Sequence, residues 1–286
     1  MITITGASGK LGRAVANELA GRVDPATVTL GTRTPAKLEG LRDAGFRVAA
    51  ADFDEPASLV KAFSGAQAAL VICGHGDNET RIRQHSDAFD AAREAGVGRV
   101  LYTSFTNPVS RSLFPFAMVH EASEAYARQA GLRHTFLRNN HYAENLEAAL
   151  AIARKTGELA LPGAQGKVAY ITRTDVAAAT AGALIHDGCP ASVEITGGAA
   201  LDLFEVAELA SKAWDMRVTA RDMPADEYAR LLAERGLPGF VVIAQVGIRL
   251  AAGAGEYARV TKDAQELAGR PLQDMAGYLR DFARAV

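Results

Sequence analysis

The residues with the clearest chemical purpose are Thr5-Gly6-Ala7-Ser8-Gly9-Lys10-Leu11-Gly12. They follow a short apolar run, Ile2–Thr5, and precede a segment in which Leu11, Ala14, Val15 and Leu19 recur at helical spacing. A glycine loop between a strand and a helix is suited to holding a pyrophosphate. Gly6 turns the chain, Gly9 lets the backbone approach the phosphates, and Gly12 lets helix and strand pack closely. The helix start adds free N–H groups and partial positive charge. The alternative is a plain tight turn. The spacing is G-x-x-G-x-x-G, one residue longer at the front than the usual dinucleotide fingerprint.

The end of the second apolar run bears on which dinucleotide would bind. An acidic residue about 20 residues beyond the loop would hold the ribose hydroxyls of NAD. The sequence there is Leu30-Gly31-Thr32-Arg33-Thr34-Pro35-Ala36-Lys37, with no carboxylate. A guanidinium matches a phosphate, so Arg33 predicts NADP(H), with Lys37 as a further donor; the alternative is a surface arginine near a helix start. Asp52 and Phe53 follow the third run, where an adenine would rest, although Asp52 or Asp54 could instead cap the helix starting at Pro56.

These residues need a scaffold, and the first half of the chain supplies one. Apolar runs at Val28–Leu30, Phe46–Ala50, Ala68–Ile72, Arg99–Thr103 and Thr135–Arg138 read as strands. Helical patterns occupy Lys37–Ala44, Ala57–Phe63, Thr80–Ala95 and Phe116–Ala130, with Gly45, Gly65, Gly96 and Gly131 at their ends. Alternation of this kind predicts an α/β fold, a doubly wound parallel sheet of Rossmann type. The rhythm changes near residue 140. The reading divides the chain into a dinucleotide-binding domain, 1–140, and a smaller, mainly helical lobe, 141–286, some of whose strands return to the main sheet. In that lobe Val168–Ile171 reads as a strand, Thr174 as a helix cap, Trp214 as packing, and Phe240–Ala244 as a buried helix.

With 31 Lys+Arg against 33 Asp+Glu and no basic block, nucleic acid is not an expected partner. No apolar run approaches the ~20 residues of a membrane span, and the start of the chain has no basic n-region. Cys73 and Cys189 read as two reduced thiols of a cytoplasmic protein, and the six scattered histidines predict no metal site. A homodimer is the base-rate oligomer.

The chain resembles the NmrA-like group of atypical short-chain dehydrogenases, nearest to its bacterial NADPH-dependent quinone reductases and triphenylmethane reductases. The likeness rests on Ile4 to Gly12, Arg33 with Pro35-Ala36-Lys37, Ala51-Asp52-Phe53, Ala92 to Val97 and Tyr102-Thr103-Ser104. More specific are His120-Glu121-Ala122-Ser123-Glu124 and the segment from Thr135 to Asn145. The resemblance implies NADPH in the cleft between a Rossmann domain and a small lobe, and reduction of quinones or other flat conjugated molecules. The group also contains sensors that bind the dinucleotide without turnover, which gives the alternative of a non-catalytic NADP(H)-sensing regulator. An isomerase on this fold is a third reading. Cys73-Gly74-His75 stands where small polar residues are frequent, bordering the nicotinamide end, and Asn140 stands where some relatives have glycine.

Standard short-chain dehydrogenases use a serine and a Tyr-x-x-x-Lys pair. Ser104 holds the serine-like position beside Thr103, but no Tyr-x-x-x-Lys follows. A spacing of four instead puts His120 and Glu124 on one helix face, where the histidine could donate a proton near neutral pH and the carboxylate orient it. The alternative is a structural pair. Asn139, Asn140 and Tyr142, at a strand's C-terminal end, could hold a carboxamide and a flat substrate; the alternative is strand-end turn chemistry. The run Phe114, Phe116, Met118 reads equally as a pocket lid or as core.

Overall fold

The computed structural model describes residues 1–285. Strands β1 (Ile2–Ile4), β2 (Val28–Thr32), β3 (Arg47–Ala50), β4 (Ala68–Val71), β5 (Arg99–Phe105) and β6 (His134–Asn139) all run parallel. Beyond them β7 (Glu158–Leu161) lies apart, whereas β8 (Ser192–Ile195) pairs with β6 and completes a seven-stranded sheet of order β3-β2-β1-β4-β5-β6-β8. The chain winds outward from β1 to β3, then crosses back to β4 and winds the other way. That reversal opens a crevice at the C-terminal ends of β1 and β4, where ligands of doubly wound sheets sit.

The connecting helices are α1 (Lys10–Ala20), α2 (Glu39–Asp43), α3 (Pro56–Phe63), α4 (Asn78–Glu94), α5 (Ala117–Gln129), α6 (Glu147–Thr156) and α7 (Arg173–Ile185). On one face α1 and α7 pack together, burying Val15, Leu19, Val176 and Ala177 against Ile4 and Leu30. On the other face α3, α4 and α5 bury Leu59, Phe63 and Phe89 against Val71 and Tyr102. Strands covered on both faces account for the continuous apolar runs. Gly45, Gly65, Gly96 and Gly131 each adopt positive φ just past a helix.

The second half supplies β8 and α7 to this layered unit. Its remainder, α8 (Leu203–Trp214), α9 (Ala225–Glu234), α10 (Gly239–Gly253), α11 (Asp263–Ala268) and α12 (Met275–Ala285), is largely helical, with β9 (Thr219–Asp222) paired parallel to β7. A third core joins Leu150, Leu161, Val206, Ile248 and Leu279, and Trp214 donates its indole N–H to the Leu279 carbonyl at 2.9 Å.

Four local expectations are corrected. Lys37–Ala44 is not one helix: a 3-10 turn at Pro35–Leu38 precedes α2, because Leu38 turns inward to the core. Val168–Ile171 is not a strand; its N–H groups bond to Leu201, Tyr257 and His141, three different segments, so no ladder forms. Thr172, not Thr174, caps α7, its Oγ1 accepting the Asp175 N–H at 3.1 Å. Within Phe240–Ala244 only Ala244 is buried. The helical period turns Phe240 and Ile243 outward, at 45% and 63% exposure, away from the inner stripe of Ala244, Ile248 and Ala251. Among the described residues no helix is long and apolar enough to cross a membrane, and no cluster of His, Cys, Asp or Glu is arranged to hold a metal ion.

Candidate functional site

A cleft of about 810 Å³ lies over the C-terminal edge of the sheet, and the glycine loop forms one end of it. Gly6 has φ +64°, which turns the chain out of β1. A Cβ at Gly12 would sit 2.6 Å from Ala7 Cα and Gly6 O, so no side chain fits between loop and helix. Gly9 is the N-cap of α1 and brings no capping side chain, and the first turn carries no acid. The helix therefore presents unsatisfied N–H groups beside Ser8, Gly9, Lys10 and Leu11, which line the cleft. Ser8 Oγ and Thr32 Oγ1, 2.8 Å apart, tie the loop to the end of β2. Ala7 is buried beneath the loop and does not line the cleft.

Arg33 lies exposed at the cleft and has no hydrogen bond or ion pair among the described residues. Lys37 lies outside the lining; what it brings is its carbonyl, which accepts from the Arg13 guanidinium while Arg13 Nε donates to Ser8 O at 3.1 Å. Arg13 thus braces the loop against the segment after Arg33, a role its position one turn into α1 did not signal. Asp52 and Phe53 line the cleft beside Ala51. Neither Asp52 nor Asp54 caps α3: Asp52 Oδ1 accepts the Asp54 N–H at 3.1 Å, and Asp54 pairs with Arg83. That guanidinium holds the Asp54 carboxyl below its ordinary range.

At the other end Cys73, Gly74 and His75 meet Thr103, Ser104, Asn139, Asn140 and Tyr142. The Cys73 N–H donates to Thr103 Oγ1 at 2.8 Å. Ser104 Oγ donates to Glu124 Oε1 at 2.8 Å, so its proton is committed. Asn140 is consumed internally, its Nδ2 donating to Tyr257 O at 3.0 Å and its Oδ1 accepting the His141 N–H at 2.7 Å. Asn139 differs: Nδ2 donates to the Tyr142 hydroxyl at 3.1 Å, whereas Oδ1 is sealed from solvent without a partner among the described residues. Burial raises the Tyr142 hydroxyl pKa well above its usual value, so Tyr142 stays protonated and offers a ring and a hydroxyl.

The expected His120–Glu124 pair does not form. Both lie buried on one face of α5, but His120 Nδ1 meets the Tyr102 hydroxyl at 3.0 Å and lines the cleft, whereas Glu124 points to Ser104, Arg128 and Arg138 and does not. Burial first, then the charges of His85 and Arg81, push the His120 pKa down to about 3. It is therefore neutral at pH 7, contrary to the proton-donor expectation. Phe114 is core, packed on Phe105 with ring centroids 5.1 Å apart, and Met118 faces solvent. Phe105 itself lines the cleft, as do Ile72, Gln84, Asn145 and Arg173. Phe105 and Ile72 sit at strand ends and were findable from the sheet's polarity; Gln84, within α4, carried no local signal.

A family model described as the NmrA-like family matches residues 1–264. Quinone oxidoreductase 2 of Escherichia coli (strain K12) is 31% identical over 277 residues, covering 96% of this chain and 96% of that protein. The structure is similar to that of Citrobacter sp. triphenylmethane reductase complexed with NADP(H), with TM-score 0.92 and 30% identity over 99% of this chain and 100% of that one. It is also similar to that of an NADPH-dependent quinone oxidoreductase from Escherichia coli complexed with NADPH, with TM-score 0.92 and 30% identity over 98% and 99%.

Proposed function

The chain belongs to the NmrA-like family, and from that premise we propose that it is an NADPH-dependent oxidoreductase that reduces a quinone or a similar conjugated small molecule. The observation that carries this reading is the uncapped α1 N-terminus opening, with an unpartnered Arg33, onto one cleft. Relatives named for quinone, azo-compound and triphenylmethane-dye reduction support the acceptor class.

The residues present suit this cofactor. Gly6, Gly9, Gly12 and the first turn of α1 would hold the pyrophosphate, Arg33 the 2′-phosphate, and Asp52 with Phe53 the adenine. Cys73, Gly74, His75, Thr103 and Asn139 would hold the nicotinamide end. Bound NADPH supplies a hydride, and the protein supplies placement. His120 and Tyr142 face the reacting end, whereas Glu124 fixes α5 from behind. A homodimer and cytoplasmic residence complete the reading; the two partly exposed free thiols are in keeping with a reducing compartment.

The test is oxidation of NADPH and of NADH, followed with quinones, azo dyes and triarylmethane dyes as acceptors. NADPH-preferring turnover with at least one acceptor is expected. Tight NADPH binding without turnover of any acceptor would favour a dinucleotide sensor instead.

A further inference from the structure

Behind the cleft wall lies a group of buried side chains whose hydrogen-bond directions are forced. The Gly74 N–H can only donate, and it reaches His85 Nε2 at 3.2 Å. Nε2 is therefore the bare nitrogen of His85, and the ring proton sits on Nδ1. Ser123 Oγ, 2.8 Å from that Nδ1, spends its own proton on the Val119 carbonyl at 2.7 Å and so accepts from His85. The Tyr102 hydroxyl lies 3.2 Å from the same Nδ1, which carries a proton and cannot accept. Of the two nitrogens within hydrogen-bond distance of the Tyr102 hydroxyl, His120 Nδ1 at 3.0 Å is the one able to accept its proton. His120 then carries its proton on Nε2. Among the described residues that nitrogen has no partner, it is not one of the sealed, unpartnered atoms, and His120 forms part of the cleft wall.

We propose that Tyr102 is a positioning residue that locks His120 as the Nε2–H tautomer, so that the cleft offers a neutral hydrogen-bond donor to a carbonyl oxygen of the acceptor. This rests on the reductase reading given above. A quinone that accepts a hydride from NADPH gains one proton and two electrons, leaving NADP⁺ and a hydroquinone monoanion. The His120 Nε2–H bond strengthens as that oxygen becomes anionic, which favours the transition state over bound quinone. The proton itself stays on the ring. Its departure would draw the Tyr102 proton to Nδ1 and leave a buried phenolate, and burial beside Cys73 and Glu124 holds that hydroxyl well above its ordinary pKa. The second proton of the hydroquinone comes from water. Tyr102 and Phe105 face the His120 ring, and burial first, then the nearby His85 and Arg81, keeps that ring neutral.

Histidine tautomers are read directly by long-range ¹H–¹⁵N correlation of ¹⁵N-histidine-labelled protein, without turnover. Wild-type His120 should show Nε2–H and bare Nδ1 throughout pH 5.5–8. Tyr102→Phe should give a mixture of tautomers. In the same variant the ratio of kcat for 2-methyl-1,4-naphthoquinone to kcat for crystal violet should fall with the fraction of Nε2–H lost, about twofold for an even mixture, and in His120→Leu it should fall about tenfold, the scale of one lost hydrogen bond. His120→Gln, which keeps an N–H donor, should retain more of that ratio than His120→Leu, and this pair serves if Tyr102→Phe does not fold. An Nδ1–H or imidazolium signal for wild-type His120 overturns the proposal whatever the kinetics. Equal ratios across the variants overturn its catalytic half. Absence of turnover with every acceptor refutes the reductase reading instead, and leaves the tautomer decided by the spectrum.

Discussion

Arg138, on β6, grips the Glu124 carboxylate at both oxygens, Nε to Oε1 at 2.9 Å and Nη2 to Oε2 at 2.7 Å. Ser104 and Arg128 add 2.8 Å and 2.7 Å contacts, and the Glu124 side chain is only 2% exposed. One carboxylate thus ties α5 to β5 and β6, and α5 carries His120. Glu124→Ala would leave Arg138 without its bidentate partner and Ser104 without its acceptor. Breaking a buried pair costs about 3–5 kcal/mol, and the partly exposed arginines put this case near the low end. Urea unfolding should report that loss, with the quinone-to-dye preference of the remaining folded enzyme unchanged. A changed preference at wild-type stability would make Glu124 part of the reacting end.

The same carboxylate marks the limit of what the sequence makes legible. Spacing places His120 and Glu124 on one helix face correctly, but a face is a wide arc. Which neighbour each meets depends on strands that are remote in sequence, Tyr102 and Ser104 on β5 and Arg138 on β6. The glycine loop, Arg33 and the strand-end residues are readable because they depend on one local junction, strand to loop to helix. The segment 168–171 misleads because its apolar pattern is that of a strand, while its hydrogen bonds are shared among three segments. Phe240 and Ile243 mislead for the opposite reason: a continuous apolar run at a helix start implies burial, yet the helix turns part of it to solvent.

The glycines of the loop should separate under substitution. A Cβ at Gly12 meets backbone atoms at 2.6 Å, so Gly12→Val should fail to fold or should lose much of its stability. At Gly9 the nearest atom to a Cβ is Gly6 O at 3.2 Å, a contact relieved by a small shift. Gly9→Val should therefore keep a native circular dichroism spectrum and thermal transition while losing NADPH binding. Unchanged NADPH affinity in folded Gly9→Val would remove the loop from the phosphate site.

Cofactor preference should reside largely in Arg33. It is exposed, lines the cleft and has no protein partner to lose, so Arg33→Ala should not affect folding. A charge-assisted contact is worth ~1.5–3 kcal/mol, so NADPH affinity should fall roughly ten- to a hundredfold with NADH affinity unchanged. Binding titrations with both dinucleotides decide it. Equal losses would place the 2′-phosphate elsewhere, with Arg13 the next candidate because it already spans Ser8 and Lys37.

Three histidines make stability depend on pH in a defined direction. Burial pushes His85, His120 and His141 from an ordinary value near 6.5 down to about 3. In the unfolded chain they take up protons as pH falls through 6.5, whereas in the native state they stay neutral until about pH 3. The unfolded state therefore binds more protons throughout that window. Stability is highest above pH 6.5 and is lost as pH falls toward 3. Each such histidine contributes up to about 1.4 kcal/mol per pH unit. Asp54 and Asp77, held below their ordinary 3.8, act in the same direction but only at the foot of the window. Urea midpoints measured from pH 7.5 to 4.5 should fall steadily, and His85→Gln should flatten the slope by about one third, one histidine in three. A midpoint that holds level from pH 6.5 to 5 would mean that these rings are protonated in the native protein, with His120 an imidazolium at the cleft wall and not a neutral donor.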